Sequence, residues 1–308
     1  MNDSWGNTLA VQERVAEGVL LDPVFRTPLF LVYRWQCKRD CPCERAHRWH
    51  VLSLPRGGAS VQRVRGRERL LDPGHASLHE PGASYVSTHP YGTGDHGWNV
   101  ALQPEALDLE EDGRPRDPLS WMAPMPVRAL TQWRLHLERW RRGIEEEPAV
   151  LEEATLELIH AVIHQMEAAG TGPGPRRIDT EADHERVFER AKTEIFHRYR
   201  EPILLGDLAR AACASPFHLC RVFKRASGVP VHRYVNRLRL LDALEAVVEQ
   251  EVSLTELGLE MGFSSHSHFT QTFRRELGIT PSELRRKATG RQVAAARRVL
   301  TGPPSPTP

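Results

Sequence analysis

The stretch from Leu205 to Leu284 repeats itself, and this repeat limits the folds open to the chain more than any other feature. Its first copy, LGDLARAACASPFHLCRVFKRASGVPVHRYV, aligns with LTELGLEMGFSSHSHFTQTFRRELGITPSEL. Leu208 falls on Leu257, Ala209 on Gly258, Ser215 on Ser265, Leu219 on Phe269, Phe223 on Phe273 and Gly228 on Gly278. The second copy has one extra residue in its turn, at the step from Gly262 to Phe263. Self-similarity of this length marks a duplicated supersecondary unit. Here the unit reads as two short helices across a tight turn.

Local signals agree. Ser215 followed by Pro216 starts the second helix of the first unit, with proline at the first helical position. Ser253 with Glu256, and Thr280 with Glu283, each have the spacing of a capping box. In the second helices, Leu219, Val222 and Phe223, and likewise Phe269 and Phe273, would face a core. That leaves Phe217, His218, Arg221 and Lys224 outward in one, and His266, Ser267, His268, Gln271, Arg274 and Arg275 in the other. A longer helix, about 231 to 249, joins the units.

This shape lays a helix in a DNA major groove. Arg221 can pair bidentately with a guanine edge, and Gln271 with adenine; Ser267 and the histidines can meet donors or acceptors. Lys224, Arg225, Arg237, Arg274 and Arg275 suit phosphates, which fix register without carrying sequence information. A net charge of +1 hides the local balance: from Ser215 to Leu241 six basic residues occur without one acid. A basic helix face is also what any solvated surface shows, and His268 could equally pack or cap.

The segment GFSSHSHFTQTFRRELGITPSELR, from Gly262 to Arg285, closely resembles the signature of the AraC/XylS family of bacterial transcription regulators. The resemblance is strong over about residues 181–286. One departure is Pro230, a position earlier than the family's usual proline before the joining helix. The resemblance implies base contacts at Phe217, His218, Cys220 and Arg221 in the first unit, and at His266, Ser267 and Gln271 in the second. It also implies an operator of double-stranded DNA, an effector, a homodimer and RNA polymerase as partners.

Upstream, from Leu29 to about Gln103, short strand-like runs (LFLVYRW, HVLSLP, SVQRV, ASLHE, SYVSTH, WNVALQ) alternate with Gly/Pro turn clusters. A small barrel or sandwich follows, and the family resemblance implies a cupin-like one. Helical period then takes over, with Leu130, Trp133, Leu137 and Trp140, and with Leu151, Leu158, Ile159, Val162 and Met166. The expected fold class is α+β in two domains: a cupin-like β-barrel with trailing helices, then an all-α domain of two helix-turn-helix units. Residues 1–120 form the effector-sensing domain and 121–169 a helical dimerisation or interdomain segment. Residues 170–180 form a Gly/Pro linker, 181–290 the DNA-binding domain and 291–308 a basic, Pro-rich tail.

The chain of 308 residues is long for one core and suits two domains. No apolar run approaches a membrane span and no signal-peptide layout opens the chain, so a cytoplasmic protein is expected. No nucleophile elbow, phosphate loop or HExxH is present, and the expectation is a non-enzyme. One cluster stays outside this account. Cys37, Cys41, Cys43, His47 and His50 pack thiols and imidazoles suited to zinc or another thiophilic metal. A second histidine set, His75, His79, His89 and His96, could join them in a barrel. The rival reading is a metal or redox sensor, or a metalloenzyme, fused to a DNA-binding module.

Overall fold

The computed structural model describes residues 19–37, 43–64, 66–89, 94–104, 122–144, 147–170, 178–249 and 252–290. The expected tail at 291–308 and most of the linker lie outside them. The strands are β1 (Val19–Arg26), β2 (Phe30–Cys37), β3 (Cys43–Ala46), β4 (His50–Gly58), β5 (Ser60–Val64), β6 (Arg67–Leu71), β7 (His75–His79), β8 (Ser84–Thr88), β9 (Asp95–Leu102) and β10 (Met122–Pro124). One sheet has the order β1-β2-β9-β4-β7-β10 and the other β3-β8-β5-β6.

Alternation along the strands sorts the larger sheet's faces. Phe30, Val32, Leu52, Leu54, Trp98 and Val100 join a large core with the helices. Leu31, Tyr33, Val51 and Ala101 form a separate cluster on the opposite face. That opposite face also carries His79, whose ring stacks on Tyr85 of the second sheet at 4.2 Å between centroids. The two sheets therefore lie against each other through partly polar, aromatic side chains.

The expected barrel is corrected in one respect: among the described residues, no hydrogen-bonded ladder closes the two sheets onto each other. Each ends on edge strands, and β10 is only three residues long and ends in Pro124, which blunts further pairing. The N-terminal half is thus a pair of packed antiparallel sheets that does not close into the expected barrel among the described residues.

Four strands escape the sequence reading. Pro23 breaks the apolar run of β1 and shifts its register against β2. Charged residues dominate β6, which sits at an edge. The short β3 falls inside the cysteine and histidine cluster, and β10 is too short to show a period.

The helices are α1 (Val127–Arg141), α2 (Pro148–Gly170), α3 (Ile178–Arg198), α4 (Leu205–Ala211), α5 (Pro216–Ser227), α6 (Val231–Glu249), α7 (Leu254–Glu260), α8 (His266–Leu277) and α9 (Pro281–Ala288). The joining helix spans the expected residues. Trp133 of α1 meets Trp98 edge-on at 5.9 Å and donates to the Thr155 hydroxyl at 3.1 Å, which fixes α1 and α2 on the sheet.

Two cores hold the helices. Residues of α3, α4, α5 and the first half of α6 form one, with Phe223 against Phe188 and Tyr234. The second half of α6 and residues of α7, α8 and α9 join the large core of the strands, α1 and α2. The second helix-turn-helix unit is therefore continuous in packing with the N-terminal half. Among the described residues, no helix is long and apolar enough to cross a membrane.

Candidate nucleic-acid interface

Both second helices of the repeat begin on a serine cap. Ser215 Oγ accepts from the His218 amide at 3.2 Å, and Ser265 Oγ from the His268 amide at 3.1 Å. Both end on a left-handed glycine, Gly228 and Gly278. The Thr280 capping box is complete, its hydroxyl and amide both meeting Glu283. Ser253 accepts from the Glu256 amide, but no reciprocal bond from Glu256 accompanies it, so only half of that expected box is seen.

Leu219, Val222, Phe223, Phe269 and Phe273 are buried as the pattern requires. Outward, Phe217 is 80% exposed at the start of α5. Cys220, Arg221, Lys224 and Arg225 are exposed on the same helix, as are His266, Ser267, Gln271, Arg274 and Arg275 on α8. His218 is half-buried, tilted against His184 at 5.4 Å between centroids. His268 both packs on Phe263 and hydrogen-bonds the Ser264 hydroxyl, at 3.0 Å. It is therefore committed to holding the turn.

The basic stripe divides into two groups. Arg233 and Arg237 of α6 and Arg275 of α8 all donate to Glu276, at 2.9, 3.1 and 3.3 Å. The Glu276 side chain is fully buried, and against the effect of that burial the hydrogen bonds from Arg237 and Arg233 hold its carboxyl below the usual range. Arg237, expected at a phosphate, is thus tied to α8. Arg239 is buried and donates to the carbonyls of Tyr199, Gly262 and Glu201. Arg221, Lys224, Arg225 and Arg274 keep exposed side chains.

The turns of the two copies differ in one telling way. Gly262 takes φ +81° with the Arg200 carbonyl 2.3 Å from where a Cβ would stand. In the first copy the matching position is Cys213, the one non-glycine residue with positive φ among the described residues, at 53°. A non-glycine side chain in this region carries a conformational cost.

The N-terminal half touches the helical units through polar contacts that the sequence did not reveal. Tyr234 of α6 donates to Asp72 Oδ2 at 2.7 Å, and Asp72 Oδ1 lies 2.9 Å from His75 Nδ1. Burial alone would raise the Asp72 carboxyl. The neighbouring His75 and Lys192, with hydrogen bonds from His75 and Tyr234, hold it down at about 2. Lys192, with its side chain fully buried, donates to the Leu70 carbonyl at 2.7 Å. Arg56 pairs with Glu245 and Glu249, and Arg134 with Glu249 at 2.8 Å. Arg128 donates to the Arg275 carbonyl at the end of α8, at 3.2 Å. These contacts tie the N-terminal half to both units.

Of the proposed metal-ligating set, the described side chains of Cys37, His47 and His50 do not fall in one grouping of potential ligands. His47 bonds the Tyr85 hydroxyl at 2.9 Å. Burial and the charge of Arg45 lower the His47 imidazole to about 4, which keeps it neutral. His50 is buried on β4 and its pKa is lowered by that burial. Cys41 lies outside the described residues, and only the backbone of Cys43, on β3, is described. Cys37 instead meets His89 and Asp95, and these are the only grouping of three or more potential ligands close enough to share an ion among the described residues. His89 belonged to the second histidine set, and Asp95 lies with it in the HPYGTGDHGW stretch, but nothing in the sequence joined that stretch to Cys37. Only the pairing of β2 with β9, which sets Cys37 opposite Asp95, brings them together.

Comparison with known proteins decides the family. A helix-turn-helix domain family model matches residues 208–287. The probable transcription factor PqrA of Proteus vulgaris is 34% identical over 89 residues, which cover 29% of this chain and 73% of PqrA. The chain belongs to the AraC family. A transcriptional activator, RhaS of Escherichia coli O139:H28 (strain E24377A / ETEC), is 39% identical over 72 residues, covering 23% of this chain and 26% of RhaS. The crystal structure of a transcriptional regulator with an AraC-type DNA-binding domain, from Chromobacterium violaceum, matches with 31% identity. It covers 35% of this chain and 96% of that one, with a TM-score of 0.33. As an AraC-type protein the chain is a DNA-binding transcription regulator. With RhaS the likeness spans about a quarter of the relative's length.

Proposed function

We propose that α5 and α8 of this regulator enter successive major-groove segments and read their bases, while the N-terminal sheets sense an effector. The observation that carries the reading is the matched pair of capped helices. Each is anchored by buried apolar residues and presents an exposed polar face. Phe217, His218, Cys220 and Arg221 would meet bases in the first segment, and His266, Ser267 and Gln271 in the second. Lys224, Arg225 and Arg274 would carry most phosphate contacts. Arg237 and Arg275 would join them only by sharing Glu276.

The effector reading rests on a cupin-like pairing of the two sheets and on buried polar atoms there that lack a protein partner. Trp35 Nε1, Gln62 Oε1 and Asn99 Oδ1 are such atoms, and burial without a partner is costly. They suit a small polar effector. The effector would act through its different affinity for two arrangements of the N-terminal half against the helices. The family resemblance supports a homodimer on the operator, with RNA polymerase as a further partner.

Selecting duplexes from a random library with the full chain, then footprinting the selected sequence, tests the reading. Two protected major-groove patches centred about one helical turn apart are expected, ~34 Å. A single patch, or no sequence enrichment, would contradict it.

A further inference from the structure

Cys37 ends β2, Asp95 begins β9, and the two stand directly opposite each other in the ladder. His89 follows β8 of the second sheet. All three are buried, and none has a part in DNA reading. His89 Nε2 lies 2.5 Å from Asp95 Oδ1, and His89 Nδ1 lies 4.0 Å from Cys37 Sγ.

The carboxylate decides the imidazole's role. In the neutral imidazole with its proton on Nε2, that proton is donated to Asp95 and the Nδ1 lone pair is turned toward the sulfur. A carboxylate behind the far nitrogen of a histidine is the arrangement that orients metal-binding imidazoles. The separation from Nδ1 to Sγ is long for a hydrogen bond. One zinc ion about 2.0 Å from nitrogen and 2.3 Å from sulfur spans about 3.5 Å at a tetrahedral angle, so Nδ1 and Sγ would draw together by about 0.5 Å around it. Thiolate and imidazole together favour a soft or borderline cation, and the charges of thiolate and carboxylate would balance a divalent one.

We infer that Cys37 and His89 bind a thiophilic divalent cation of the zinc class, with Asp95 as the group that orients His89. The ion is held by Cys37 Sγ and His89 Nδ1, with solvent completing its coordination. Because its ligands come from both sheets, it staples them together at one end.

The test uses the full chain, stripped with a chelator and titrated with cobalt(II), reading the near-ultraviolet thiolate-to-cobalt charge-transfer band. Saturation at one equivalent is expected in the wild type and in Cys213→Ser and Cys220→Ser. The band should vanish in Cys37→Ser and His89→Gln. Asp95→Asn should keep the band with affinity about 10–100-fold weaker. Circular dichroism reports whether each variant folds, and Asp95→Asn decides the matter if the ligand variants do not. Absence of the band in the wild type would overturn the site. So would a band surviving in folded Cys37→Ser, or wild-type affinity in Asp95→Asn.

Discussion

The Tyr234 hydroxyl donates to Asp72 Oδ2 at 2.7 Å, linking the helix that joins the two DNA-binding units to the turn before β7. Both groups are buried, and Asp72 is fully so. Tyr234→Phe removes the donor while keeping the ring against Phe223 and His75. It should cost about 1–3 kcal/mol in denaturant unfolding, the penalty of a buried polar group left short of a partner. Unchanged stability would show that the contact contributes nothing to holding the halves together.

Glu276 gathers three arginines from two helices. Their guanidinium groups are partly exposed, so solvent screens the pairs and a full buried-ion penalty does not apply. Glu276→Gln should destabilise the chain by about 1–3 kcal/mol, measured by urea unfolding.

The same cluster separates structural from phosphate-binding arginines. Lys224→Ala should reduce the slope of log affinity against log salt by about 1. Arg237→Ala should leave that slope near the wild-type value, because Arg237 is engaged with Glu276. Equal loss of slope in both variants would mean that Arg237 leaves the carboxylate for DNA.

The positions of these contacts explain which parts were legible in sequence. The repeat, its caps and the span of α6 follow from local rules, because apolar spacing and serine or proline caps act within a few residues. Arg239 looked like part of a DNA-facing stripe, yet it is spent on the backbone carbonyls of Tyr199, Glu201 and Gly262. That commitment depends on tertiary packing and leaves no local trace. Cys37 read as a ligand from its neighbours along the chain. Its actual companions, His89 and Asp95, come from strand pairing across more than fifty residues.

The turn positions give a paired test. Gly262→Ala places a Cβ against the Arg200 carbonyl at positive φ and should destabilise by more than about 1 kcal/mol. Cys213→Gly relieves a positive φ in the equivalent turn and should change stability by less than about 1 kcal/mol, since relieved strain opposes greater unfolded-state entropy. Thermal melts of the two variants check the contrast.

Acid should loosen the N-terminal half. Burial and Arg45 lower the folded-state pKa of His47 from 6.5 to about 4, so between these values the unfolded chain binds more protons than the folded one. Stability therefore falls as pH drops from 6.5 to 4, by up to roughly 3 kcal/mol from this residue. His47→Gln should flatten that part of the pH profile, measured by urea unfolding at successive pH values. A profile as steep as the wild type would place the sensitivity elsewhere.

The most direct test of the DNA account measures the affinity of wild type, Arg221→Ala and Gln271→Ala for the selected duplex and for a scrambled one. Each substitution should cost about 1–3 kcal/mol on the selected duplex, with relaxed preference at one base position and little change on the scrambled DNA. Equal losses on both duplexes would contradict the account, because they would make Arg221 and Gln271 general DNA contacts instead of readers of sequence.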